Sequence, residues 1–224
     1  MGQTINLNTS TMQCITAYVA KPTGKPKGGI VVIQEIFGVT AHIRSVADRF
    51  AEYGYTAVAP AFFDHLESGV ELGYDRGGYA KGKQLVTELG FDRALEDVAS
   101  AAESIGSAGK IGAVGYCWGG TVALLSAIRL RLPAVSYYGA RNLPFLHEVP
   151  QAPVMFHFGE SDPNIPPDAV AKHRAALPQM DVFTYPHADH AFNRDGSSAY
   201  HAASAKLALQ RTLAFFDKQL ATHE

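Results

Sequence analysis

Cysteine, surplus charge of one sign and long apolar runs are all scarce in this 224-residue sequence, and each shortage excludes something. The two cysteines, Cys14 and Cys117, stand far apart, and nothing in their spacing supports a disulfide framework. A reducing, cytoplasmic setting is the simpler expectation. Nineteen Lys and Arg against 21 Asp and Glu leave a net charge of -2. Without a basic excess there is no electrostatic ground for binding nucleic acid or an anionic membrane. A small-molecule substrate is the expected partner, for a monomer or small homo-oligomer. No apolar run approaches the roughly 20 residues that span a bilayer. The polar N-terminus, MGQTINLNTSTMQC, lacks the layout of a signal peptide, and Asn6 breaks the myristoylation pattern that Met1-Gly2 begins. Repeats and low-complexity linkers are missing too, so one domain over residues 1–224 is expected from a chain of this length with 47% hydrophobic residues.

What the chain does contain is a regular alternation. Short apolar, partly β-branched runs at Ile15–Ala20, Ile30–Gln34, Tyr55–Ala59, Ile111–Val114, Ala134–Tyr138, Val154–Phe158 and Val182–Tyr185 predict strands. Helical spacing falls between most of them. Ile43, Val46, Ala47 and Phe50 recur at three- and four-residue intervals after Thr40, a candidate N-cap, and Gly54 closes that helix. Further helices are expected over Phe91–Ser104, Cys117–Leu130, Asp168–Ala176 and about Ser198–Leu220. Strands alternating with helices need crossover connections, which predicts an α/β fold with a mainly parallel sheet and ligands beyond the carboxyl ends of its strands. The stretch from Phe63 to Leu89, with five scattered glycines, reads either as a flap over a pocket or as an ordinary surface excursion.

One cysteine sits where chemistry is expected. Gly115-Tyr116-Cys117-Trp118-Gly119 has the form G-x-C-x-G, between the strand IGAV and the helix TVALLSAI. That is the strand-turn-helix setting of a nucleophile elbow, whose central residue is strained and whose neighbours two positions away must be small. The turn puts the thiol near a helix N-terminus, which favours thiolate, and makes the Trp118 N–H a candidate oxyanion donor. A cysteine packed as a small hydrophobe and a phosphate-binding glycine turn are the competing readings.

A hydrolase elbow needs an acid and then a histidine, each on a loop after a later strand. After VMFHF comes Gly159-Glu160-Ser161-Asp162-Pro163, where Asp162 is the first choice for the acid, ahead of Glu160 and of Asp168, which is expected to cap the next helix. After VFTY comes Pro186-His187-Ala188-Asp189-His190. His190, further from the strand, is preferred to His187. Two histidines three apart without a third ligand make a weak metal signal, so no metal and no cofactor is implied. His42 and His157 read as surface or core residues.

These residues together resemble the dienelactone hydrolase family, the carboxymethylenebutenolidases, which are α/β-hydrolases with a Cys-His-Asp triad. The likeness covers most of the chain and rests on Gln34-Glu35-Ile36-Phe37-Gly38, the GYTAVAP stretch from Gly54 to Pro60, GYCWGG at Gly115–Gly120, Gly159–Asp162, and His190-Ala191-Phe192. It implies hydrolysis of an enol lactone such as dienelactone to maleylacetate, in aromatic-compound degradation. It implies that Glu35 keeps Cys117 a resting thiol until substrate displaces it, and that the Ile36 N–H joins Trp118 as oxyanion donor. Arg194 is expected to grip a substrate carboxylate, with Phe37, Arg76 and Tyr79 as further substrate contacts. Around Arg76 the stretch GYDRGGYAKG departs from the family pattern, and Ala191 replaces a serine. A broader carboxylesterase or lactonase, an acyl-transferring thiol enzyme and a non-enzymatic binding module therefore remain alternatives.

Overall fold

The computed structural model describes residues 2–9 and 13–221, which fall into two compact units. One runs to Ala113 and takes back the chain from Leu220; the other spans Val114–Gln219.

The first unit opens with β1 (Gln3–Asn8) and β2 (Cys14–Ala20), an antiparallel pair with Gln3 opposite Val19 and Asn8 opposite Cys14. β3 (Gly29–Ile33) follows, then α1 (Ala41–Glu52) and β4 (Thr56–Pro60). β3 and β4 are parallel neighbours and every residue in both is buried, as expected of continuous apolar runs in a sheet covered on two faces. α1 buries Ile43, Val46, Ala47 and Phe50, the four residues whose spacing predicted it, and Gly54 follows its end at φ 96°. Thr40 begins that helix without capping it through its side chain; its hydroxyl meets the Tyr74 hydroxyl at 3.2 Å instead.

Two features of this unit depart from expectation. β1 forms from a mostly polar stretch, because an edge strand needs few apolar side chains once its partner supplies the ladder. Residues expected to be irregular form the first half of a long helix, α2 (Arg76–Ser104), broken at Gly90, where φ is 74°. Asp75 caps it, accepting from the Gly78 amide at 2.8 Å. The flap-or-excursion question over Phe63–Leu89 thus resolves into a short 3-10 turn at Phe62–His65, a connecting strap and a helix.

The chain passes into the second unit within β5 (Ile111–Tyr116). α3 (Trp118–Arg129) begins one residue after the elbow and is buried at every position but Arg129, the property of a helix that is apolar all round. β6 (Ala134–Tyr137), β7 (Val154–Gly159) and β8 (Asp181–Tyr185) are parallel neighbours in that order, with α4 (Pro167–Ala176) between the last two. Pro166 and Pro167 start α4, so Asp168 lies in its first turn rather than at its cap and pairs with Lys172 at 3.2 Å. α5 (Ala202–Gln219) closes the unit, starting four residues later than its apolar pattern suggested. Among the described residues no helix is long and apolar enough to cross a membrane.

Candidate active site

Cys117 is the only residue between β5 and α3, and the chain turns there through φ 56° and ψ -116°. Few residues other than glycine tolerate that backbone, so the surroundings must hold it. They do so with the Cys117 amide donating to the Tyr137 carbonyl at 3.0 Å and the Gly120 amide donating to the Cys117 carbonyl at 2.9 Å. The close passage of strand and helix also needs its glycines: a Cβ on Gly115 would lie 1.8 Å from the Gly119 carbonyl oxygen. The thiol is partly exposed, at the head of a buried helix. Trp118 is the first residue of that helix, so its N–H belongs to the first turn, whose amides point out of the helix N-terminus.

Asp162 and His190 come together from the loops after β7 and β8. Asp162 Oδ2 lies 2.7 Å from His190 Nδ1, and the Asp162 side chain has no exposed surface. Its other oxygen accepts the Asn164 amide at 2.8 Å, which fixes the carboxylate plane. The His190 amide donates to Asp189 Oδ1 at 2.6 Å, and the imidazole lies 5.2 Å from the Tyr138 ring. Burial works against a charged His190, but hydrogen bonds to Asp162 and to Cys117, and the attraction of each when it is ionised, outweigh it and carry its pKa up to about 10. Nδ1 is taken by Asp162, which leaves Nε2 for the sulfur. Cys117, His190 and Asp162 thus form one connected line within the second unit.

The two loops are stitched to each other by main chain. Glu160 N donates to the Tyr185 carbonyl at 3.0 Å, and Ser161 N to the Ala188 carbonyl at 2.9 Å. Glu160, the second choice for the acid, faces elsewhere: its carboxylate accepts from Thr184 Oγ1 at 2.9 Å. His187 is exposed, at φ 61°. Among the described residues no group of three or more His, Cys, Asp or Glu side chains could hold a metal ion.

The remaining expected site residues have these places. Arg194 is half-buried four residues beyond His190, its amide donating to the Ala191 carbonyl at 2.9 Å. In the first unit, Glu35, Ile36 and Phe37 follow β3 and are all buried. The Leu72 amide donates to the Phe37 carbonyl at 2.8 Å, and α2 crosses so near that a Cβ on Gly82 would lie 2.1 Å from the Ile36 carbonyl oxygen. The Phe37 ring meets the edge of Tyr74, a neighbour the sequence did not mark. Arg76 and Tyr79 are exposed in the first turn of α2, with Lys83 lying 6.0 Å over the Tyr79 ring.

The family model described as "dienelactone hydrolase family" matches residues 15–220. A carboxymethylenebutenolidase of Pseudomonas putida is 33% identical over 210 residues, covering 89% of each chain. A Synechocystis protein provisionally given the same name is 32% identical over 230 residues, with 92% of each chain covered. A crystal structure from Klebsiella pneumoniae subsp. pneumoniae, provisionally named a dienelactone hydrolase, superposes with a TM-score of 0.83 at 32% identity, covering 96% of this chain and 98% of that one.

Proposed function

Because this chain belongs to the dienelactone hydrolase family, and with it to the carboxylic ester hydrolases of the α/β-hydrolase fold, we propose that it opens an enol-lactone or ester bond with Cys117 as nucleophile. The observation that carries the reading is the line from Cys117, held in a strained turn at the head of α3, through His190 to the buried Asp162.

In this reading the thiolate attacks the carbonyl carbon and the carbonyl electron pair moves onto oxygen, where the Trp118 amide receives it; family resemblance alone adds the Ile36 amide as a second donor. Collapse breaks the acyl–oxygen bond. The proton on the imidazolium goes to the departing oxygen, leaving a thioester on Cys117 and a neutral His190. Neutral His190 then takes a proton from water, whose hydroxide expels the thiolate and releases the acid. Asp162 keeps the ring oriented throughout. Family resemblance adds Glu35 as the group that keeps the idle sulfur protonated, which limits its oxidation. Phe37, Arg76 and Tyr79 belong to the same reading as substrate contacts.

Arg194 is the group suited to a carboxylate on the substrate, since a guanidinium binds that anion through two parallel hydrogen bonds. Dienelactone, opened to maleylacetate, is such a substrate, in aromatic-compound degradation. The exposure of Arg76 and Tyr79 favours a second reading, a broader carboxylesterase or lactonase, because side chains open to water contribute little to selecting one ligand. Steady-state kinetics on dienelactone beside a simple aryl ester tests both. Cys117→Ala is expected to abolish turnover of each, and unchanged rates would end the nucleophile assignment. Arg194→Ala is expected to harm only the carboxylate-bearing substrate; an equal effect on both favours the broader enzyme.

A further inference from the structure

His157, on β7, has no part in the chemistry proposed above, yet it is fully buried and engaged at both nitrogens. Nδ1 lies 2.8 Å from the Tyr185 hydroxyl and Nε2 lies 3.1 Å from Thr212 Oγ1. Thr212 Oγ1 is in turn 2.7 Å from the Tyr137 hydroxyl. At the other end, Arg211 Nη1 donates to the Tyr185 hydroxyl at 3.1 Å, with the guanidinium 4.0 Å over the Phe183 ring. The groups facing His157 are therefore Tyr185 from β8, Tyr137 from β6, and Thr212 and Arg211 from α5. Arg211 is the charged one.

That charge gives the chain a direction. A guanidinium can only donate, so the Tyr185 hydroxyl accepts from Arg211, and among these groups only an unprotonated His157 Nδ1 gives the Tyr185 proton an acceptor. Burial, reinforced by the Arg211 charge, pushes the His157 pKa down to about 3, so the ring is neutral. A neutral ring that accepts at Nδ1 carries its proton on Nε2 and donates it to Thr212. That tautomer also gives the Tyr185 proton its acceptor, which the other does not.

The main chain of the same residues grips the candidate site. The Tyr137 carbonyl accepts the Cys117 amide at 3.0 Å, and the His157 carbonyl accepts the Tyr138 amide at 2.8 Å. Tyr185, the last residue of β8, accepts from Glu160 at 3.0 Å and from Ala188 at 3.3 Å, one on each loop of the Asp162–His190 pair. Opposite Tyr185 in register is Gly159, where a Cβ would lie 2.3 Å from the Ala188 carbonyl oxygen. There is no slack between the loops. The ring that meets His157 and the carbonyl that anchors both loops thus belong to one residue, Tyr185.

We propose that Arg211, Tyr185, His157 and Thr212 are positioning residues: a directional hydrogen-bond chain that holds the Asp162 and His190 loops in register without touching substrate. The inference rests on the reading of Cys117, His190 and Asp162 as the hydrolytic triad.

The test is hydrolysis of an aryl acetate across pH, with melting temperatures measured beside it. Tyr185→Phe and Thr212→Val each delete one hydroxyl, and with it two hydrogen bonds, and keep the shape; Thr212→Ser restores the hydroxyl. Tyr185→Phe is expected to lower kcat about tenfold with KM within about twofold, since a small misplacement of catalytic groups costs rate more than binding. The alkaline fall of kcat/KM should also move toward neutrality, because a looser Asp162 contact supports the His190 imidazolium less. Thr212→Val should move both in the same direction, and Thr212→Ser should return them. A lowered Tm with kcat and the alkaline limb unmoved overturns the proposal, as does a Thr212→Ser enzyme no better than Thr212→Val. Should Tyr185→Phe fail to fold, Arg211→Met removes the donor that directs the chain and carries the same expectations. His190→Ala in the same assay separates the two failures: wild-type rates there sink the triad itself, whereas an inactive His190→Ala beside unaffected Tyr185 and Thr212 variants sinks only the positioning chain.

Discussion

Among the described residues two histidine–carboxylate pairs make nearly the same contact, and they differ in what the second ring nitrogen meets. In the first unit His65 Nε2 lies 2.8 Å from Asp97; in the second His190 Nδ1 lies 2.7 Å from Asp162. Both carboxylates are fully buried. His65, however, is only 1% exposed in its side chain, and its remaining nitrogen meets Gln13 Oε1 at 2.8 Å. His190 is 22% exposed and offers its remaining nitrogen to a sulfur. The titrations diverge accordingly. Burial, against the opposing His65 hydrogen bond, pushes Asp97 up to about 6, whereas His190 reaches about 10. A histidine–carboxylate contact is thus a structural tie until its second nitrogen faces a reactive atom that substrate can reach.

The widest gap between the two pairs should open on deleting each ring. His190→Ala is expected to lower kcat/KM on an aryl ester at least about 10³-fold. His65→Ala is expected to leave it within about threefold and to lower Tm instead, since an unpaired buried carboxylate costs on the order of 3 kcal/mol. That loss should shrink as pH falls and Asp97 takes up a proton, beginning above the wild-type value of about 6 because the His65 contact that lowers the Asp97 pKa is gone. His190→Ala should have the smaller effect on Tm, because water reaches Asp162 where a partly exposed ring has gone. If His65→Ala were as inactive as His190→Ala, the distinction would collapse.

Next in size is the Asp162→Asn change, which keeps the shape and removes the charge that orients the imidazole. A drop in kcat of about 10³-fold is expected. In the wild type, kcat/KM should stay level through neutrality and fall as pH passes about 10, where the imidazolium loses its proton. In Asp162→Asn that limb should lie lower. An alkaline limb at the same pH in both proteins would mean that Asp162 does not hold the proton on His190.

A third histidine, with no carboxylate, sharpens the contrast in stability. His190 has a raised pKa, so its contribution is whole below its ordinary value of 6.5 and is lost as pH climbs through about 10. His157 has a lowered one, so the unfolded chain binds the extra proton, and stability falls as pH drops from 6.5 toward about 3. Melting curves across that acid range should therefore slope less in His157→Gln than in the wild type. Parallel slopes would assign the acid loss to other groups, such as His173, which burial also lowers.

Much of the candidate site was legible because its signals are local. Glycines two positions either side of Cys117 mark a tight elbow, and Asp162 and His190 each follow an apolar run by a few turn residues. Asp162 pairs with His190, while Glu160 accepts from Thr184. The signals that failed depend on distant partners. Asp97 looks like any helix-surface acid until α2 packs, and His65 lies 32 positions away from it in sequence. The glycines of 73–82 argued against a helix, yet Gly82 is needed inside one because α2 passes over the Ile36 carbonyl. β1 has almost no apolar pattern to read. His42 and His157 are both buried, as core histidines, but nothing local shows that His157 joins three elements by hydrogen bonds.

The backbone at Cys117 sets reactivity and durability against each other. At φ 56° and ψ -116° a side chain of any kind is a burden, and only the absence of one relieves it. Cys117→Gly should therefore melt above Cys117→Ala, by an amount worth about 1 kcal/mol, even though glycine loosens helices elsewhere. The inert glycine protein would be the tougher of the two. Tension held at one peptide is then the tax on keeping sulfur at the mouth of the turn, and a lineage released from its substrate would be expected to shed it there first.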